Sequence, residues 1–114
     1  MVRRKQDMQA EQRENMRGGR GSVDIRHLEK ELLPESGRLF AVVTVPPGGS
    51  IGPHEHVGET ELFYFVKGEG VVADDAQRVA VRAGDAMTTP SGHSHSVENT
   101  GQEDLVLVAA ILKG

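Results

Sequence analysis

The chain has 114 residues with 17 acidic and 13 basic side chains, giving a formal net charge of −4 with histidine neutral. That length fits one domain, and the absence of cysteine excludes disulfides and thiolate metal sites. No apolar run reaches the roughly 18 residues of a membrane span, and Met1 to Asp7 has no apolar stretch behind its charges, so no membrane partner is expected and a cytoplasmic location follows by default.

Charge is unevenly spread. Residues 1–22 hold six cations (Arg3, Arg4, Lys5, Arg13, Arg17, Arg20) and three anions (Asp7, Glu11, Glu14), so this segment is net +3 and the remainder −7. A basic arm can contact nucleic acid, but no aromatic residue interleaves these arginines and no nucleic-acid motif follows them. A solvated arm, or one docked on an acidic partner subunit, is expected instead. Residues 1–17 read as a short polar helix or an extended arm, and Gly18-Gly19-Arg20-Gly21-Ser22 as a flexible break. The chain therefore divides into an arm, 1–22, and a domain, 23–114.

Val23 to Leu28 alternates apolar and polar, as a half-buried strand does. Glu29 to Gly37 contains Pro34 and reads as a turn or one short helical segment. From there the signals are those of strands. Leu39 to Val45 ends at Pro46-Pro47-Gly48-Gly49, and Leu62 to Lys67 ends at Gly68. Gly70 to Ala73 and Val79 to Arg82 flank a turn at Asp74 to Gln77 and read as a hairpin. Ala86 to Thr89, His95 to Glu98 and Leu105 to Leu112 complete the set. Short strands punctuated by turns every 8–12 residues or so indicate an all-β sandwich or closed barrel. The last strand is apolar at nearly every position, which predicts cover on both faces, with a second subunit as one source. Aromatic residues are few (Phe40, Phe63, Tyr64, Phe65), so the core must rely on Val, Leu, Ile and Ala.

Four of five histidines fall in two groups, His54-Glu55-His56 and His93-Ser94-His95. Residues at i and i+2 on a strand point to one face, about 6–7 Å apart along the chain. On an inward face, two such imidazoles can meet one ion. Glu61 lies five residues after His56, an odd offset that would reverse its direction in a single strand, but Val57 to Thr60 can bend and reset the register. Glu61 then shares a face with Phe63 and Phe65, where an unpartnered carboxylate would be costly and a metal ion would supply the partner. Tyr64 points the other way. Glu55 and Glu59 are expected to face solvent and His27 to lie at the surface or cap a turn. His93 is likewise expected at the surface or capping a turn; as the alternative, it is the one further titratable side chain to bring near the mouth, where an ordinary pKa of about 6.5 suits a proton shuttle.

These residues sit in a frame that resembles the cupin superfamily. Its first motif, G-x5-H-x-H-x4-E-x6-G, is matched by Gly48, His54, His56, Glu61 and Gly68; its second, G-x5-P-x-G-x2-H-x3-N, by Gly84, Pro90, Gly92, His95 and Asn99. The resemblance implies a cupin jelly-roll or double-stranded β-helix barrel with a short N-terminal arm, and His54, His56, Glu61 and His95 as ligands of one divalent transition metal (Mn, Fe, Co, Ni or Zn). It also implies a small-molecule ligand and a homodimer that exchanges its N-terminal strand. Dioxygenase, oxalate-type decarboxylase and isomerase chemistry all occur on this frame, and a non-catalytic ligand-binding module, its metal structural or aiding binding, is the alternative. No catalytic residue is identifiable beyond the metal ligands. The turn glycines are expected at positive φ, and Asn99 to cap a turn.

Overall fold

The computed structural model describes residues 1–114 in full. Ten strands follow in chain order: β1 (Ala10–Glu14), β2 (Ser22–His27), β3 (Gly37–Val45), β4 (Ser50–Glu55), β5 (Glu59–Lys67), β6 (Glu69–Asp74), β7 (Gln77–Arg82), β8 (Ala86–Thr89), β9 (Ser94–Asn99) and β10 (Leu105–Lys113). They form two antiparallel sheets, a six-stranded one in the order β1-β2-β3-β10-β5-β8 and a four-stranded one in the order β4-β9-β6-β7. This is the expected jelly-roll barrel. No helix is long and apolar enough to cross a membrane.

The two-residue period of the strands builds the core. Val23 and Ile25 of β2, Ala41, Val43 and Val45 of β3, Leu105, Leu107 and Ala109 of β10, and Phe63 and Phe65 of β5 face inward from the larger sheet. Ile51, Val72, Val81 and Val97 meet them from the smaller one. Phe65, Leu105 and Leu107 are fully enclosed, and each such side chain contributes about 1.5–3 kcal/mol by leaving water. The final strand departs from expectation in one respect. Leu105, Leu107, Ala109 and Ile111 are buried, but Val106, Val108 and Ala110 on the opposite face are only half-buried. Alternation, rather than burial on both sides, describes β10 within one chain.

The N-terminal segment is a strand, not a helix. After a 3-10 turn at Lys5–Asp7, β1 pairs with β2 from Ala10↔Arg26 to Glu14↔Ser22. It is polar and largely exposed, as suits a sheet edge. His27 is buried beneath it, with Nε2 2.8 Å from Glu11 Oε2, so the expectation of a surface histidine is corrected: the cover comes from a strand that reads as an arm. The glycine-rich stretch between β1 and β2 is a packed junction. A Cβ on Gly19 would lie 2.2 Å from the Ser50 carbonyl oxygen, and one on Gly52 would lie 2.1 Å from that of Arg17. Only glycine at both positions lets the β1–β2 turn rest directly on β4.

Candidate metal and ligand site

The ends of β4 and β8 and the starts of β5 and β9 come together at one end of the barrel. His54 on β4 is the cross-strand neighbour of His95 on β9, and Glu61 on β5 that of Thr89 on β8. His56 follows β4, held by its own N–H donating to the His93 carbonyl and by its carbonyl accepting from Gly92 N–H. Gly58, at φ +75°, makes the bend that resets the register. Glu61, Phe63 and Phe65 consequently share the buried face of β5, whereas Tyr64 is about half exposed (51%). The anticipated bend between residues 57 and 60 is what turns Glu61 inward.

Four donor atoms converge. His54 Nε2 lies 3.1 Å from His95 Nε2, and His56 Nε2 lies 3.1 Å from His95 Nε2. Glu61 Oε1 is 2.8 Å from His56 Nε2 and 3.1 Å from His95 Nε2. One ligand atom from each of the four residues falls within 4.8 Å of the others. The rings cross at steep angles of 71° to 86°, so each presents a nitrogen edge to the common centre. Phe63 stacks on His95 at 4.9 Å and forms a wall.

The outward nitrogens are equally well defined. His54 Nδ1 is 2.8 Å from the Gly52 carbonyl, His56 Nδ1 is 3.2 Å from Glu59 Oε1, and His95 Nδ1 is 2.7 Å from Thr89 Oγ1. A carbonyl and a carboxylate only accept, which assigns the proton of neutral His54 and His56 to Nδ1 and leaves the lone pair on Nε2. Such outer partners fix tautomer and ring orientation in metal sites. Three imidazole nitrogens and a carboxylate then face one another about 3 Å apart, and at most His95 could donate to a single neighbour. A cation resolves that crowding of lone pairs. Cis ligands around an ion bound at about 2.1–2.2 Å stand about 3 Å apart, which matches the spacing found. The donor set therefore fits a divalent transition metal. Burial, the larger effect, and the charges of His95, Arg17 and His56 hold His54 below its ordinary pKa, against an upward pull from the Gly52 carbonyl.

Several residues that shape the site were not anticipated. Glu59, expected in solvent, bonds His56 and also accepts two hydrogen bonds from Arg38 at 2.7 Å each. The Arg38 guanidinium, first, and the His56 contact lower its pKa from 4.5 to about 2 against the opposing effect of burial. Thr89 carries no sequence signal because its partner lies on a different sheet. A cavity of about 90 Å³ opens beside the donors, lined by Phe63, Val43, Ile51 and Leu107 and by three arginines, Arg13, Arg17 and Arg38. His93 does not line it. Its Nδ1 lies 2.6 Å from Asp75 Oδ2 at the β6–β7 turn, where its pKa is raised by that hydrogen bond. The alternative placement of His93 at the mouth is thus corrected, and its expected surface position holds: His93 precedes β9, with its N–H donating to the Pro90 carbonyl, so strand alternation does not carry its ring to the face of His95. Asn99 behaves as expected, donating to the Val45 and Glu103 carbonyls and accepting from Gly101 N–H.

Comparison with known proteins agrees with this architecture. The family profile described as Cupin domain matches residues 41–111. An "Oxalate-binding protein" of Thermotoga maritima is 47% identical over 113 residues, 98% of this chain and 93% of that protein. A crystal structure described as a predicted oxalate decarboxylase, also from Thermotoga maritima, superposes with a TM-score of 0.95 at 45% identity, each chain covered in full. The cupin domain of Schizosaccharomyces pombe Cnp3 shares the fold at a TM-score of 0.74 and 21% identity, over 81% of this chain and 61% of that one. The barrel, the spacing of its histidines and these relationships make the chain a small member of the cupin superfamily.

Proposed function

We propose that this protein binds a small carboxylate anion at one divalent transition metal ion held by His54, His56, Glu61 and His95. The observation that carries this reading is the division of labour among the histidine nitrogens: the three Nε2 atoms gather with a Glu61 oxygen around one centre, while every Nδ1 atom is engaged outward. Three neutral imidazoles and one carboxylate leave a divalent ion with a net charge of +1, which attracts an anion. The cavity of about 90 Å³ is far below the roughly 300–1,000 Å³ of drug-sized sites, so it suits a ligand of a few heavy atoms. The Thermotoga maritima relative described as oxalate-binding supports a dicarboxylate of that size.

Binding without turnover is favoured over decarboxylation by the composition of the cavity wall. Loss of carbon dioxide from a carboxylate leaves a carbanion that must take up a proton at carbon. The ionisable residues lining the cavity are the three arginines, His54, His56 and Glu61. Arginine does not release a proton near neutral pH, and the other three are committed to the ion. A metal analysis of protein purified without a chelating tag should give about one ion per chain, and calorimetric titration of the metal-loaded protein with oxalate should show saturable binding. Incubation of the Mn(II) form with oxalate should release neither carbon dioxide nor formate. Stoichiometric release of both would establish the decarboxylase reading, and an absence of metal would end both.

The protein is further proposed to be a homodimer. Phe40, Leu62, Tyr64, Val66 and Leu112 are each at least 37% exposed and lie with half-buried Val108 and Ala110 on the outer face of the six-stranded sheet. A second copy seated there would complete the cover expected for β10. Exchange of residues 1–22 between copies would preserve the β1–β2 register and requires only that the Gly18–Gly21 junction open.

A further inference from the structure

The geometry points to Arg17, on the turn between β1 and β2, as the residue that selects the anion: its guanidinium meets the part of the ligand that the metal does not hold. Three arginines line the cavity, but two are already neutralised. Arg13 Nε pairs with Glu11 at 2.8 Å, and Arg38 grips Glu59 with two hydrogen bonds. Glu61 is enclosed by His56 and His95. Arg17 lines the same cavity as His54, His56 and Glu61 and is paired with no carboxylate, so it supplies the uncompensated positive charge at the mouth.

The backbone argues for the same role. Arg17 has φ +55° and ψ +31°, the left-handed region, which is uncommon for a long side chain and costs it free energy that glycine does not incur. The turn holds three glycines, at positions 18, 19 and 21, yet this strained position is an arginine. Its carbonyl rests against Gly52, two residues before His54, in a contact that only glycine permits. The N–H groups of Gly18 and Gly19 donate to the Asn15 and Met16 carbonyls and close the turn. Arg17 is therefore anchored by its backbone to the strand that carries His54, and its side chain is left for the cavity. An anion bound at the metal and at Arg17 is held at two points, which favours a dicarboxylate over a monocarboxylate of similar size.

The role assigned to Arg17 rests on the site binding a carboxylate. The test is calorimetric titration of Co(II)-loaded wild type, Arg17→Gln and Arg17→Gly with oxalate and with acetate, beside titration of each apo-protein with Co(II) alone. A charge-assisted contact predicts that both variants lose about ten- to a hundredfold in oxalate affinity, that acetate affinity changes much less, and that added salt weakens wild-type oxalate binding more than that of the variants. Co(II) affinity should stay within about threefold of wild type, because Arg17 is not among the donors. Arg17→Gly should melt no lower than wild type, since glycine relieves the positive φ; this separates loss of the guanidinium from loss of the fold. Oxalate affinity that survives both substitutions undiminished would overturn the role of Arg17 alone. A wild type that takes up Co(II) but binds no oxalate would overturn the carboxylate reading and this assignment together.

Discussion

Replacing Glu59 by Gln separates what orients the site from what fills it. The substitution keeps the side chain's size and its acceptor oxygen but removes the charge that faces both Arg38 and His56. Glu59 has a pKa lowered from 4.5 to about 2, chiefly by the Arg38 guanidinium, which is equivalent to about 3 kcal/mol of native-state preference for the carboxylate. Arg38 is about half exposed (48%), and solvent screening reduces the contribution to about 1–2 kcal/mol. A carboxyl whose pKa falls on folding stabilises the protein above its unfolded value. This contribution is therefore whole above about pH 4.5 and is lost as the pH falls towards about 2. In chelator-treated protein, denaturant melts at pH 7 should show Glu59→Gln less stable by about 1–2 kcal/mol, and the gap should close between about pH 4.5 and 2. Metal binding should suffer separately. Weakening the acceptor that holds His56 Nδ1 costs about ten- to a hundredfold in affinity, measurable by calorimetric titration with Co(II) at pH 7. Wild-type metal affinity in a folded Glu59→Gln protein would show that Glu59 does not orient His56.

Metal affinity should also report on the ligands themselves. His54→Ala or His95→Ala should weaken binding sharply at every pH, and wild-type affinity should fall below about pH 6 as protons compete for imidazole; calorimetry across pH checks both. Apo-protein should lose some stability as the pH drops below 6.5, because burial lowers the pKa of His54 and the unfolded chain takes up the proton first; thermal melts in chelator with and without His54→Ala would reveal it. Gly52→Ala would place a methyl 2.1 Å from the Arg17 carbonyl and should cost about 1–3 kcal/mol, with limited proteolysis opening the chain between β1 and β2. Light scattering after size exclusion should give a mass near twice the 12.3 kDa of one chain, and Tyr64→Glu on the exposed sheet face should shift it towards the monomer.

Most of the strands could be read directly because their signals are local, and the donor set could be read from spacing together with the cupin motifs. Alternation along β5 puts Glu61, Phe63 and Phe65 on one face, the single residue between His54 and His56 suits two ligands of one ion, and His95 follows from the motif. Misplacements occurred where a side chain is defined by something far away in sequence. His27 reads as a surface residue until β1 lies over it, and Glu59 reads as solvated until Arg38 arrives from β3. His93 is in phase with His95 by spacing, but it precedes β9 and turns to Asp75 of the β6–β7 turn, so an i, i+2 pattern misplaces it where the strand has not yet begun.

By itself, then, the order of residues determined a barrel of short strands and grouped His54, His56 and Glu61 near one ion, since strand periodicity and ligand chemistry act over a few residues at a time; the fourth donor, His95, was implied by the resemblance to the cupin motifs. Only the closed fold decided that residues 10–14 form an edge strand, that Thr89 and Glu59 fix the imidazoles, and that Arg17 borders the cavity. Each of these depends on one sheet meeting another, and on contacts such as Gly19 against Ser50 and Gly52 against Arg17, where the absence of a side chain lets two backbones touch and no local pattern records the partner.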